Sequence, residues 1–300
     1  RQHRQFAKGA VELVAAHFGA DAAGFEQAAH EVRFGRMTGA EDELHGSGRG
    51  GCMARDIISN SGKQERNVAT LNIFCAGAAQ AVVSRVAAAF EAEGDTVRAT
   101  YSAVGAMKAR VAAGDPADIV VLTGALIDEC IAEGLVVTGS RADLGKVGTG
   151  VAVRTGSPRL DVGSIDALRG HLRAAARVVC PDPAVATAGK VVLKVLDQLG
   201  VAAEVTPRLQ YFPNGYAAMA DLAKSGGERD LGITQITEIL ANPGVTLLGP
   251  LPAAVQNMAV YAAGVAARSA APARAREFIA RLTGAAAQPM LREAGFGIGG

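Results

Sequence analysis

Cysteine and histidine are the residues from which a nucleophile, a general base or a metal site is most readily built, and this sequence has four of the first and five of the second. Cys52, Cys75, Cys130 and Cys180 are 23, 55 and 50 residues apart with no Cys-x-x-Cys pair, which fits no zinc pattern. Cys75, Cys130 and Cys180 lie in apolar surroundings and read as reduced, buried thiols rather than a disulfide framework. Cys75 alone could be reactive. It closes an apolar strand just before a helix start, where free N–H groups can lower a thiol pKa. The favoured reading is nevertheless a core thiol, with no catalytic residue expected and Cys75 as the alternative. His3, His17, His30 and His45 form no i, i+4 pair and read as solvated, so no metal site is expected. His171, beside Arg169 and Arg173 on a charged helix, reads as a surface residue and gives a Ser-His-Asp hydrolase little support. The run Gly46–Gly51 lacks the Lys-Ser/Thr of a phosphate loop and follows no strand, so it reads as linker.

The remaining chemistry is that of neutral donors. Ser102, Thr123, Thr187, Asn214 and Gln235 each stand where an apolar run gives way to a helical period. The loops Cys75–Gln80, Tyr101–Ala106, Thr123–Ala125, Asp182–Lys190, Phe212–Ala217 and Thr234–Glu238 carry little charge, with Asp182, Lys190 and Glu238 placed at their margins. A neutral, N–H-rich cleft at several helix starts has the physics of a small-anion site. Tyr101 and Tyr216 read equally well as cleft walls or as packing residues.

The elements behind these loops alternate. Leu71–Cys75, Thr96–Tyr101 and Asp118–Leu122 read as strands, and the stripe Val82, Val83, Val86 and Phe90 marks a helix between the first two. Helices over Ala106–Ala113 and Leu126–Glu133 complete a βαβαβα unit, the pattern of a doubly wound α/β sheet. A second unit follows, with strands at Val147–Val153, Val178–Cys180 and Leu231–Ile233 and helices at Ser164–Ala176, Lys190–Leu199 and Ala217–Lys224. Late strands at Val245–Leu248 and Val260–Ala267 and helices at Ala273–Leu282 and Gln288–Ala294 return to the first unit. Residues 1–68 differ in texture. They hold nine basic and nine acidic residues, an amphipathic helical period over 5–18, and no period from Arg36 to Asn67, which reads as an extension and linker that packs little against the body.

Across all 300 residues the net charge is +1, aromatics make up 4% and tryptophan is absent, so neither bulk attraction to nucleic acid nor aromatic stacking on it is expected. No run of 18 uncharged apolar residues spans a bilayer, and 49% hydrophobic residues suffice for a large core.

Three segments resemble the molybdate-binding proteins of ABC importers, which are type II periplasmic binding proteins. They are Phe74-Cys75-Ala76-Gly77-Ala78, Tyr101-Ser102-Ala103-Val104-Gly105 and Ala113-Gly114-Asp115-Pro116-Ala117-Asp118. The Ala-Gly-x-Pro-Ala-Asp turn is the most specific of these, and Asp182-Pro183, Ala188-Gly189 and Pro250–Tyr261 extend the likeness over about residues 70–297. The resemblance implies a two-lobed α/β fold, each lobe a doubly wound sheet, with residues 69–147 plus 251–300 forming lobe 1 and 148–250 lobe 2. It implies a ligand held between the lobes, with Ala78 and Val104 standing where the family has hydroxyl-bearing residues. Ala188 and Gly215 fall at its backbone donors, and Gln235 falls at its tyrosine. Ser102, Gly105 and Thr123 complete the expected set of ligand-binding residues.

The function expected from this reading is a monomeric solute-binding protein outside the cytoplasm, without cofactor. It passes a small anion (molybdate, tungstate or a small carboxylate) to an ABC importer permease. With two hydroxyls replaced by methyl-bearing side chains, molybdate binding is expected to be weak. The alternative is an isomerase, lyase or decarboxylase acting on a small organic acid on the same scaffold; separately, cytoplasmic location is the alternative to the one the resemblance implies, since no signal peptide is visible.

Overall fold

A computed structural model describes residues 68–297 and 299 of the chain, within a unit that runs from Gln64 to Gly300; the expectations for residues 1–67, Cys52 and Gly46–Gly51 among them, lie outside the described residues. Strands β1 (Thr70–Ala76), β2 (Thr96–Ser102) and β3 (Ile119–Thr123) are parallel, with β1 between the other two. They alternate with helices α1 (Gln80–Ala92), α2 (Val104–Ala112) and α3 (Gly124–Ala132). Ile119 to Leu122 are all fully buried, because helices cover both faces of a parallel sheet and its central strands read as unbroken apolar runs. On α1 the buried residues are Val82, Val83, Val86, Ala87 and Phe90, a stripe of 3.6 period against the sheet.

The second half repeats this order. Strands β5 (Arg177–Pro181), β6 (Leu209–Phe212) and β7 (Asp230–Gln235) are parallel with β5 in the middle. Helices α4 (Ile165–Ala174), α5 (Thr187–Gln198), α6 (Ala202–Val205), α7 (Gly215–Ser225) and α8 (Ile236–Leu240) surround them. The long strand β4 (Ala142–Arg154) joins the halves. Its residues Ala142–Gly148 pair antiparallel with β9 (Met258–Val265), and Thr149–Arg154 pair with β7 and with β8 (Val245–Pro250). The strand path β2-β1-β3-β9-β4-β7-β5-β6 is thus hydrogen-bonded throughout, with β4 shared. The chain crosses once within β4 and again between β8 and β9. Separate apolar cores lie on either side, one around Leu71, Phe90 and Ile119 in the first half, and two in the second, around Leu168, Val178 and Leu196 and around Val179, Met219 and Leu222. Helices α9 (Pro272–Thr283) and α10 (Gln288–Glu293) return to the first core, where the Phe278 ring packs 4.9 Å from that of Phe90.

Three differences from the sequence reading have physical causes. Strand β4 begins at Ala142, not Val147, since its polar, glycine-containing start is held by pairing with β9. The edge strand β6 spans four half-exposed or exposed residues, too few to show an alternation. The segment Thr234–Glu238, read as a loop, contains the end of β7 and the first turn of α8.

Candidate functional site

The carboxyl ends of β1, β2, β5 and β7 point toward one cavity between the two halves, as expected for ligand sites on α/β sheets. Its volume is about 30 Å³, and its lining comes from both halves. The first half contributes Ala76, Gly77, Ala78, Ser102, Ala103, Val104 and Tyr261; the second contributes Pro181, Ala186, Thr187, Ala188, Asn214, Gly215, Gln235 and Glu238. Four helices start here. The N-cap residues of α2, α5 and α8 are Ala103, Ala186 and Gln235, none of which caps with its side chain. Their first N–H groups therefore lack the side-chain acceptor that a Ser or Asp would give, which leaves positive helix ends at the cavity. Only α7 is capped, by Asn214 Oδ1 accepting from Ala217 N at 2.8 Å.

Of the expected ligand-binding residues, the cavity brings together Ala78, Ser102, Val104, Ala188, Gly215 and Gln235. Gly105 and Thr123 are outside its lining: Gly105 faces the Val185 carbonyl from within α2, and Thr123 pairs with Tyr261 on the neighbouring strand. Tyr101 and Tyr216 are also outside it; the Tyr101 hydroxyl shares a 2.8 Å hydrogen bond with Ser84 Oγ. Tyr261, in the segment Pro250–Tyr261 but not itself singled out, is the aromatic wall.

Cys75 lies where the favoured reading of a core thiol has it, and its surroundings do not suit the catalytic alternative. Its side chain is fully buried in the first core and burial pushes the thiol well above the ordinary range, the opposite of an activated thiolate. Its Sγ donates only to the carbonyl of the adjacent Ala76. Helix N-termini near the strand end do not reach a side chain that points inward.

The sequence reading left Glu238 at the margin; the structure buries it in the cavity wall with 4% of its surface exposed. Its carboxylate accepts from Thr234 Oγ1 at 2.6 Å and from the backbone N–H groups of Gly215, Tyr216 and Gln235. Burial raises its pKa; these hydrogen bonds oppose the rise without cancelling it. The approach depends on glycine. A Cβ on Gly215 would collide with Thr234 Oγ1 and Glu238 Oε2, and one on Gly77, across the cavity, would come to 2.7 Å from Glu238 Oε1. Burial also raises the Tyr261 hydroxyl, followed by the charge of Glu238 and then Cys75. Beside Glu238, the Gln235 side chain is 3% exposed and its Oε1 has no hydrogen-bond partner. A local signal for Glu238 does exist. Gln235 is the N-cap of α8 and Glu238 its third residue, the spacing at which a glutamate folds back onto the N-cap N–H.

The comparisons with known proteins agree with this architecture. The model of the bacterial extracellular solute-binding proteins matches residues 71–297, and the chain belongs to that family. Its fold is that of the type II periplasmic binding proteins. The periplasmic molybdate-binding protein of Azotobacter vinelandii superposes with a TM-score of 0.64 at 19% identity, covering 77% of this chain and all of that one. The sulfate-binding protein of Mycobacterium tuberculosis gives 0.59 at 20% identity, covering 77% and 87%. In sequence, an aconitate isomerase from a Pseudomonas species is 28% identical over 242 residues, spanning 76% of this chain and 87% of that protein. No helix among the described residues is long and apolar enough to cross a membrane.

Proposed function

We propose that this protein takes a small organic carboxylate between its two lobes, residues 69–147 with 251–300 and residues 148–250. It does so as the monomeric binding component of an importer outside the cytoplasm. The observation that carries this reading is the make-up of the cavity. Uncapped helix starts and the hydroxyls of Ser102 and Thr187 suit a carboxylate, while Ala76, Ala78 and Val104 offer methyl groups to a hydrocarbon face. At about 30 Å³ the cavity holds a water molecule or two. An organic acid therefore enters when the lobes part about their two chain crossings, and closure follows because the ligand meets both walls only in the closed form. Ligand binding is tested by thermal melting and calorimetry with cis- and trans-aconitate, citrate and molybdate. At about 100 times its dissociation constant a ligand adds about 2.7 kcal/mol of stability. The carboxylates are expected to raise the melting temperature and molybdate to leave it nearly unchanged; a strong shift with molybdate alone refutes the reading.

A second reading, isomerisation of a small unsaturated acid, is favoured by Glu238 together with the aconitate isomerase relative. A buried carboxylate with a raised pKa in a ligand cavity is suited to accept a proton from carbon and return it elsewhere on the same molecule. The double bond then shifts with no change in composition and no cofactor. Proton NMR of trans-aconitate with the protein in D2O tests it. Appearance of the cis isomer with deuterium uptake supports the enzyme; saturable binding without turnover supports the carrier.

A further inference from the structure

We propose that Glu238 determines ligand class by placing its own carboxylate on the second-lobe donors that an oxyanion would otherwise use. The inference rests on the reading that the cavity is the ligand site. The donors are at the start of the eleven-residue helix α7 and at the end of β7: the N–H groups of Gly215, Tyr216 and Gln235 and the Thr234 hydroxyl. Such a set, one helix start, a strand-end N–H and a hydroxyl, is a built anion seat, and here a side chain of the chain itself fills it. Gly215 has room for nothing larger than hydrogen because the Glu238 and Thr234 oxygens lie against it. A separate observation points to a ligand at the same place. The Gln235 side chain lines the cavity beside this seat, almost wholly buried, with its Oε1 unpartnered. A buried amide oxygen without a partner is unusual, and a ligand group entering the cavity would satisfy it.

The consequence is a division of labour across the cavity. A tetrahedral dianion, which needs donors on all sides, meets second-lobe donors already taken by the Glu238 carboxyl and two methyl-bearing positions, Ala78 and Val104, on the first. Occupying a binding wall's donors with a side chain of the protein itself works against ligands that need those donors. A ligand that fits must direct its carboxylate toward Ser102, Thr187 and Ala188 and turn a C–H or hydroxyl edge to Glu238. An oxyanion left without donors on one wall loses its hydration uncompensated, which is costly enough that the arrangement selects strongly.

The test titrates sulfate and molybdate by calorimetry into the unmodified protein, Glu238→Ala and Glu238→Gln, with aconitate titrated in parallel. Circular dichroism and thermal melting establish that each variant is folded, and Glu238→Gln serves if Glu238→Ala does not fold. At least one folded variant is expected to bind sulfate or molybdate at least 100-fold more tightly than the unmodified protein. Equal oxyanion affinity in all three, or no gain in any folded variant, overturns the proposal. The aconitate titration separates this from the reading beneath it. Absence of carboxylate binding by the unmodified protein counts against the proposed function, while a gain of oxyanion affinity in the variants still assigns the seat to Glu238.

Discussion

Each half of the molecule contains a buried carboxylate held by backbone N–H groups and a hydroxyl, and the two are tuned in opposite directions. Asp118, at the amino end of β3, is 1% exposed and accepts from Asn72 N, Ser269 Oγ, Ala270 N and Ala271 N at 2.7 to 3.2 Å. Burial acts to raise its pKa, yet the hydrogen bonds prevail and hold it below the ordinary carboxylate range. Glu238 has a comparable set of donors, but burial prevails and its pKa is raised. Position explains the difference in use. Asp118 joins β1, the start of β3 and the approach to α9 at the sheet edge remote from the cavity, so its charge is a structural fastening. Glu238 lies at the opposite edge, where strands end and helices begin, so its carboxyl borders the cavity proposed to take the ligand. The lesson is that donor number alone does not set the direction in which a buried carboxyl is tuned, and that the edge of the sheet decides which of the two borders the cavity.

The sharpest way to break this comparison is to neutralise each carboxylate in turn. If the isomerase reading holds, Glu238→Gln lowers turnover of trans-aconitate by at least about 100-fold, the usual scale for loss of a proton-transfer group. Its stability at pH 7 should change by no more than about 1 kcal/mol. The raised pKa of Glu238 fixes the sign of the pH effect. Its contribution to stability is complete below the unfolded glutamate value of about 4.3 and is lost as pH rises through the folded value. Glu238→Gln therefore gains on the unmodified protein as pH rises from about 4. Urea unfolding at several pH values, with a parallel NMR assay, reads both quantities; a variant that keeps full turnover removes Glu238 from the chemistry.

Asp118→Ala should do the reverse: a loss of about 3 kcal/mol of stability, with ligand affinity retained while the protein is folded. Five donors, the Asn72 side-chain amide among them, are left without their acceptor, of which Asn72 N and Ala271 N tie separate elements together. Because the Asp118 pKa is depressed, its contribution is present above the unfolded aspartate value of about 3.9 and is lost as pH falls through the folded value. The gap between the unmodified protein and the variant should narrow on acidification. A constant gap from pH 7 to pH 3 would place the effect in packing instead.

The sequence made the first of these carboxylates easier to find than the second. Asp118 ends the turn Ala113–Asp118, whose residue pattern carries the family resemblance, and it borders an apolar run whose burial is evident from Ile119 to Leu122. The helix α1 and the strands of both halves other than the edge strand β6 were equally legible, since their apolar runs mark them. Glu238 was not, because its partners Gly215 and Tyr216 lie on another helix and only the fold brings them near. Its one local signal, the N-cap spacing from Gln235, is diluted in a helix of five residues. The same applies to Tyr261, whose place in the cavity wall follows from pairing between β9 and β3 rather than from its neighbours in sequence. The loops themselves were readable: five of the six expected ones contribute to the cavity, and Thr123–Ala125 does not.

A smaller effect sharpens the contrast between the two cavity walls. Ala78→Ser and Val104→Ser restore hydroxyls on the first wall, each worth about tenfold in oxyanion affinity when the hydrogen bond is charge-assisted. That gain should appear in a Glu238→Ala background and be small with Glu238 in place, because its carboxyl still takes the donors of the opposite wall. Calorimetry with molybdate on the four combinations measures the coupling directly. Additive gains in both backgrounds would show that the two walls act independently.

The smallest effect is expected at Cys75, and it bears on which residue, if any, does chemistry. The thiol is fully buried in the core beneath β1, its pKa is raised by burial, and its only hydrogen bond is to the next residue's carbonyl. It has neither the exposure nor the charge needed to attack a substrate. Cys75→Ala should therefore leave aconitate affinity and any turnover within about twofold, while costing about 1 kcal/mol of stability for the small cavity created. Alkylation by iodoacetamide should be slow in the folded protein and fast in urea, since access and thiolate formation both require unfolding. A loss of turnover of more than tenfold in a folded Cys75→Ala variant would return catalysis to the first half of the molecule, and with it the assignment of Glu238 as the reactive carboxylate would fall.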